Sequence, residues 1–229
     1  MKLTGRLAAA AALIPEGRSF ADIGTDHGYI PVYMCHTGKT PRAVAVDIGV
    51  GPLQAARTHI VGAGLQEKIT CRLGNGLTCL TPGEVEGGVI CGMGGRLMTE
   101  ILRASPHVWR RFSFLVLQPM WYSGTVRRFL YEAGWHIEAE TLVTEEHRLY
   151  EVMRAVPGRK AMLPFWLWDI GPVNWRQQDA LLARRLTLVI ARKKKILNGL
   201  LQSRKDQAER IRVLQKELAQ LEARKCRLL

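Results

Sequence analysis

Three carboxylates stand where short apolar runs end: Asp22, Asp26 and Asp47. Around the first two, Phe20-Ala21-Asp22-Ile23-Gly24-Thr25-Asp26-His27-Gly28-Tyr29-Ile30-Pro31 reads as a buried strand, a tight turn and the start of a helix. Gly24 and Gly28 let the backbone take positive φ there and let a ligand come close. Asp47 follows about 20 residues later, the spacing of a carboxylate that accepts both hydroxyls of a ribose. Two more glycine turns, Gly74-Asn75-Gly76 and Gly92-Met93-Gly94-Gly95, and the dipeptide Gln118-Pro119 end later apolar runs. The chemistry on offer is nucleotide binding. It combines acids for a ribose and a cation, the Asn75 amide for a base edge, and bare backbone for close approach.

These residues meet only if their strands stop on one side. Residues 19–24, 42–47, 69–73, 88–91 and 114–118 are short, apolar runs suited to buried strands. Helical segments alternate with them. They cover 1–13, 30–36, a stretch opening at Gly51-Pro52 and stopping near Gly62 or Gly64, 97–102, and a helix capped by Ser123 and ending at Ala133. Residues 135–143 and 149–156 alternate and read as an antiparallel pair. The fold class is therefore α/β, a Rossmann-like sheet that is mostly parallel with one reversed strand. In such sheets ligands sit beyond the carboxyl ends of the strands, so all five turns line one rim.

The chain of 229 residues suits one full α/β domain plus an appendage. No window approaches 18 uncharged apolar residues, which excludes a transmembrane helix. The apolar run from Ala8 to Ile14 is followed by Pro15-Glu16-Gly17-Arg18, so it reads as a first amphipathic helix and not a signal peptide. Five cysteines without metal-ligand spacing imply reduced thiols in a cytoplasmic protein. The net charge of +13 is uneven. From Trp175 to Leu229 there are 15 basic and 5 acidic residues, a net of +10, against +3 for the first 174 residues. Concentrated positive charge points to a phosphate-rich partner such as nucleic acid.

Beyond Pro157-Gly158 the character changes, giving expected domains at 1–158 and 159–229. Leu182, Leu186, Val189, Ile196 and Leu200, then Ile211, Leu214, Leu218, Leu221 and Leu228, form heptad-like seams. They predict a coiled-coil-like hairpin of two long helices, turning at Gln202-Ser203 or breaking at Asn198-Gly199. The run Arg192-Lys193-Lys194-Lys195 is expected mostly off the seam.

Two cofactors suit the rim, a dinucleotide or S-adenosylmethionine. The first turn lacks the Gly-x-Gly-x-x-Gly spacing, and Asp26 would repel a pyrophosphate but suits the amino group of a methionyl moiety. The reversed strand favours the methyltransferase form of the sheet as well.

On these residues the chain resembles the bacterial tRNA adenine-N1 methyltransferase family that modifies the D-loop adenosine at position 22. The likeness runs through 21–31, Gly51-Pro52-Leu53, Gly64-Leu65, Arg72-Leu73-Gly74-Asn75-Gly76-Leu77, Gly92-Met93-Gly94-Gly95 and Leu117-Gln118-Pro119. It implies a class I methyltransferase domain, S-adenosylmethionine as donor, and tRNA as acceptor, held through the basic helical hairpin. The cofactor-binding set is then Asp22, Gly24, Asp26, His27, Asp47, Ile48, Asn75 and Gly76. The set acting at the base is Tyr29, Gly92, Met93, Gly94 and Gln118, with no metal. The family usually has Asp where this chain has Asn75, and Asn where it has Met120. At this point two alternatives stay open: a methyltransferase for another RNA or a small molecule, and an RNA-binding adaptor with weak catalysis.

Overall fold

In a computed structural model, which describes residues 3–203 and 206–228, the apolar runs become one seven-stranded sheet. Its strands are β1 (Phe20–Ile23), β2 (Ala43–Asp47), β3 (Ile69–Leu73), β4 (Gly87–Met93), β5 (Phe114–Pro119), β6 (Trp135–Glu145) and β7 (Arg148–Pro157). The order is β3-β2-β1-β4-β5-β7-β6. The first five strands pair in parallel, and β7 runs antiparallel to both β5 and β6. It is the one reversed strand, inserted between two elements made before it. All four residues of β1 are buried, because a central parallel strand is covered on both faces.

Around the sheet lie α1 (Gly5–Leu13), α2 (Tyr29–His36), α3 (Val50–Gly62), α4 (Gly95–Ala104), α5 (Pro106–Trp109) and α6 (Ser123–Glu132). The expected first helix is confirmed from Gly5; Met1 and Lys2 lie outside the described residues. Two local readings change. Ser123 is the first residue inside α6, and Tyr122, at φ 60°, takes the cap position instead. Gly92 and Met93, expected to follow β4 as a turn, belong to the strand, which carries an irregularity between Cys91 and Met93.

One buried ionic group ties the reversed hairpin to α6. Arg127 is fully enclosed, with Nε donating to Glu140 on β6 (2.6 Å) and Nη2 to Glu151 on β7 (2.5 Å). Burial works against the guanidinium charge, but the two carboxylates hold it protonated.

The chain divides into two units after Lys160. The second holds α7 (Phe165–Ile170), α8 (Pro172–Arg176), α9 (Leu182–Leu201) and α10 (Ala208–Cys226). α9 ends at Leu201 with Gln202 as its C-cap, and Asn198-Gly199 stays helical. The buried seam joins Leu182, Leu186, Val189 and Ile190 to Leu214, Leu218 and Leu221. Ile196, expected on it, is exposed, and Leu197 packs there instead. A helix of 3.6 residues per turn drifts off a strict seven-residue repeat, which moves the apolar face by one position. The same drift brings Lys193 inward, where it pairs with Asp169 (3.0 Å) and Glu217 (2.8 Å). Lys194 pairs with Glu222 (2.6 Å). Part of the basic run is therefore neutralised within the unit. Trp166 packs edge-on against Trp175, and Arg224 lies over the Trp166 ring. No helix among the described residues is long and apolar enough to cross a membrane.

Candidate active site

The first three strand ends are laced together by backbone hydrogen bonds. Gly24 and Thr25 N–H groups both donate to the Val46 carbonyl at 2.9 and 3.0 Å, and Gly74 N–H donates to the Asp47 carbonyl at 3.0 Å. The turn after β1 takes φ of 72° at Gly24, 60° at His27 and 66° at Gly28. The two glycines adopt that conformation without strain, while His27 is a non-glycine in it. Asp47 Oδ1 accepts the Gly49 N–H (2.7 Å), which fixes its carboxylate at the end of β2.

Beyond these ends lies a cleft of about 360 Å³. It brings together Asp22, Gly24, Asp26, Tyr29, Asp47, Gly92 and Met93 of the residues singled out in the sequence. It adds Arg6, Leu7, Thr25, Ile30 and Cys91, which sequence reasoning did not find. Arg6 is the one cation among the described lining residues, and it arrives from α1. Its Nη1 donates to Glu145 Oε2 (3.2 Å), while its buried Nε has no hydrogen-bond partner. Local sequence carries no signal for Arg6, since its position depends on α1 reaching the far end of β6.

Asp22 is a strongly perturbed acid of the cleft. Burial pushes its pKa up to about 7; the Thr25 hydroxyl, donating at 2.7 Å, opposes the rise, and the charge of Asp47 adds to it. Asp22 is thus about half ionised at neutral pH and is suited to receive a cation. Burial, with Asp22 nearby, also pushes the Cys91 thiol up, so it stays protonated and is not a nucleophile at neutral pH.

The other wall is made where β4 meets β5. Gln118 is fully buried and does not line the cleft; its Oε1 accepts the Gly92 N–H at 3.0 Å. Its place is behind the backbone of β4, which it holds. The Met93 side chain reaches back over Gly24, where an added Cβ would sit 2.1 Å from the Met93 methyl. Gly94 and Gly95 do not border the cleft either. They admit the segment after β5: a Cβ on Gly94 would meet the Trp121 indole at 2.6 Å, and one on Gly95 the Tyr122 carbonyl oxygen at 2.4 Å.

His27, Ile48, Asn75 and Gly76 also lie outside the cleft lining. His27 stacks on Tyr29 with ring centres 5.4 Å apart, and the His59 ring meets Tyr29 edge-on. His59 Nδ1 is 3.0 Å from the His27 carbonyl, so the three rings form one cluster at the mouth. Ile48 is exposed beside Asp47, and Asn75 is exposed at the next turn.

Known proteins resemble this chain in sequence and fold. The methyltransferase domain family matches residues 3–153. The tRNA (adenine(22)-N(1))-methyltransferase of Bacillus subtilis is 35% identical over 158 residues, which are 69% of this chain and 66% of that protein. The crystal structure of the B. subtilis tRNA methyltransferase TrmK superposes with a TM-score of 0.82 at 29% identity, covering 99% of this chain and 97% of that one. A Streptococcus pneumoniae protein crystallised in complex with S-adenosyl-L-methionine superposes with a TM-score of 0.84 at 26% identity, over 95% and 97% of the two chains. With its strand order, its acidic first turn and these likenesses, the chain belongs to the methyltransferase-domain family and, within it, to the bacterial tRNA (adenine-N1)-methyltransferases.

Proposed function

We propose that this chain is an S-adenosylmethionine-dependent methyltransferase acting on N1 of the position-22 adenosine in the D-loop of tRNA. The observation that carries it is the convergence of Asp22, Asp26 and Asp47 on one cleft with Gly92 and Met93. The donor set fits the cofactor. Asp22 and Asp26 would hold a methionyl ammonium, Arg6 its carboxylate, and Asp47 the ribose hydroxyls. Ile48, Asn75 and Gly76, outside the lining, would hold the adenine. His27 supports this turn from outside by stacking on Tyr29.

When bound, S-adenosylmethionine supplies an electrophilic methyl group on a positively charged sulfur. Adenine N1 already carries a lone pair. N1 would take that methyl group with its own lone pair, so no proton would have to leave it in the same step. The chain therefore contributes alignment more than base catalysis. The target base leaves its stack to reach the cleft. Tyr29, exposed at the mouth, guides it. Gly92 and Met93 form the backbone floor that Gln118 braces, and Gly94, outside the cleft, acts only through the segment that packs on it. A methylation assay on unmodified tRNA, followed by nucleoside analysis, tests this reading. N1-methyladenosine at position 22 is expected from the parent and none from Asp47→Ala; methyl transfer to another position or to no RNA would sink it.

We assign tRNA contact to the second unit, residues 161–229, and cofactor binding to the first, residues 1–160, in a cytoplasmic protein. Its coiled-coil-like pair α9–α10 carries the net positive charge. Lys193 and Lys194 are engaged internally, so Lys195 and Arg210 are better probes. Reversing both to Glu is expected to flatten the salt dependence of tRNA binding by about 2 in the log–log slope. An unchanged slope would take these helices out of the interface.

A further inference from the structure

Trp121 lies between β5 and α6 and is 57% exposed, a large apolar side chain left in solvent. Its backbone carbonyl and the residue before it are nonetheless tied to the Gly-Met-Gly-Gly segment. Gly95 N–H donates to the Trp121 carbonyl (2.9 Å), and Met120 N–H donates to the Met93 carbonyl (2.9 Å). The edge of the indole rests on Gly94, where no side chain larger than hydrogen fits without a shift. The next residue, Tyr122, sits at φ 60°, and Arg96 lies over its ring at 4.6 Å. A non-glycine at positive φ persists only where its surroundings fix it.

We propose that Trp121 is the stacking platform for the purine drawn out of the RNA. This rests on the reading of the chain as an adenosine methyltransferase and names the residue that receives its substrate. Three observations favour a base as the occupant. The ring rests on Gly94, the residue that directly follows Gly92 and Met93 of the cleft lining. Its one fixed edge leaves an aromatic face for a flat partner, and every base has a π-face to stack on it. The neighbouring Arg96 is exposed and cationic, suited to the phosphate that follows an extruded nucleotide. The Gly-Met-Gly-Gly segment then gains a division of labour. Its first two residues border the cofactor cleft, and its last two seat the platform.

The test compares Trp121→Ala, Trp121→Leu and Trp121→Phe with the parent, on unmodified tRNA and in cofactor titration by calorimetry. The Ala and Leu variants are expected to lose about 10- to 100-fold in kcat/KM for tRNA. The Phe variant should recover most of that loss, and S-adenosylhomocysteine affinity and melting temperature should stay at parental values. Parental kcat/KM in the Leu variant, or a loss matched by an equal loss of cofactor affinity, overturns the proposal. A parent that binds cofactor but methylates no adenosine overturns the underlying functional reading as well, so the two failures are told apart.

Discussion

Asp22→Asn is expected to bind S-adenosylhomocysteine roughly 10- to 100-fold more weakly than the parent at pH 8, and to be the more stable protein there. Asn keeps an oxygen for the Thr25 hydroxyl but removes the charge that faces the ligand ammonium. A charge-assisted hydrogen bond lost from a buried site accounts for the affinity change. The stability change follows from proton linkage. Between the ordinary carboxyl value of 3.8 and about 7, the folded parent holds a proton that its unfolded chain has lost. The parent therefore loses stability as pH rises through that window, by about 4 kcal/mol from this group, and the Asn variant lacks that fall. Cofactor affinity of the parent should rise about tenfold between pH 6 and pH 8, because the ligand selects the ionised form. Calorimetric titrations and urea melts across this range check both arms. Parallel pH profiles for parent and variant would show that Asp22 is not the titrating group.

Arg127→Met should be the most damaging single change to the fold. It leaves Glu140 and Glu151 buried without the cation that lies between them. Breaking a buried ionic group from one side costs about 3–5 kcal/mol, whereas replacing all its members is often neutral. The urea midpoint of Arg127→Met should fall accordingly. The triple variant with Glu140→Gln and Glu151→Gln should recover much of the loss. A single variant that melts with the parent would mean that the hairpin is held by its apolar face alone.

What could be read from the chain followed how local its cause was. Strands β1 to β5 were legible, and so were the turns after β1, β2 and β3, because short apolar runs closed by Gly, Asp or Pro specify themselves within a few residues; β4 instead runs on through Gly92 and Met93. Asp47 was legible through its spacing from the first turn. Arg6 was not, since its place in the cleft depends on a contact with Glu145, 139 residues away. Trp121 was hidden for the same reason: what seats it is Gly94, a residue of a different strand–helix unit. Gln118 was found as a polar residue at a strand end. Its burial behind Gly92 depended on the β4–β5 register, which no local pattern encodes. On α9, the apolar spacing was visible, but the drift that buries Ile190 and Lys193 in place of Ile196 depended on the partner helix.

The insertion of β7 between β5 and β6 sets a timetable for synthesis. A ribosome that has delivered the chain through Glu145 has released six strands, but the edge of β5 still has no partner and Arg127 lacks one of its two carboxylates. Open strand edges of this kind are where nascent chains stick to one another. The sheet closes only when Arg148–Pro157 leaves the exit tunnel, so the first unit matures in a single late step.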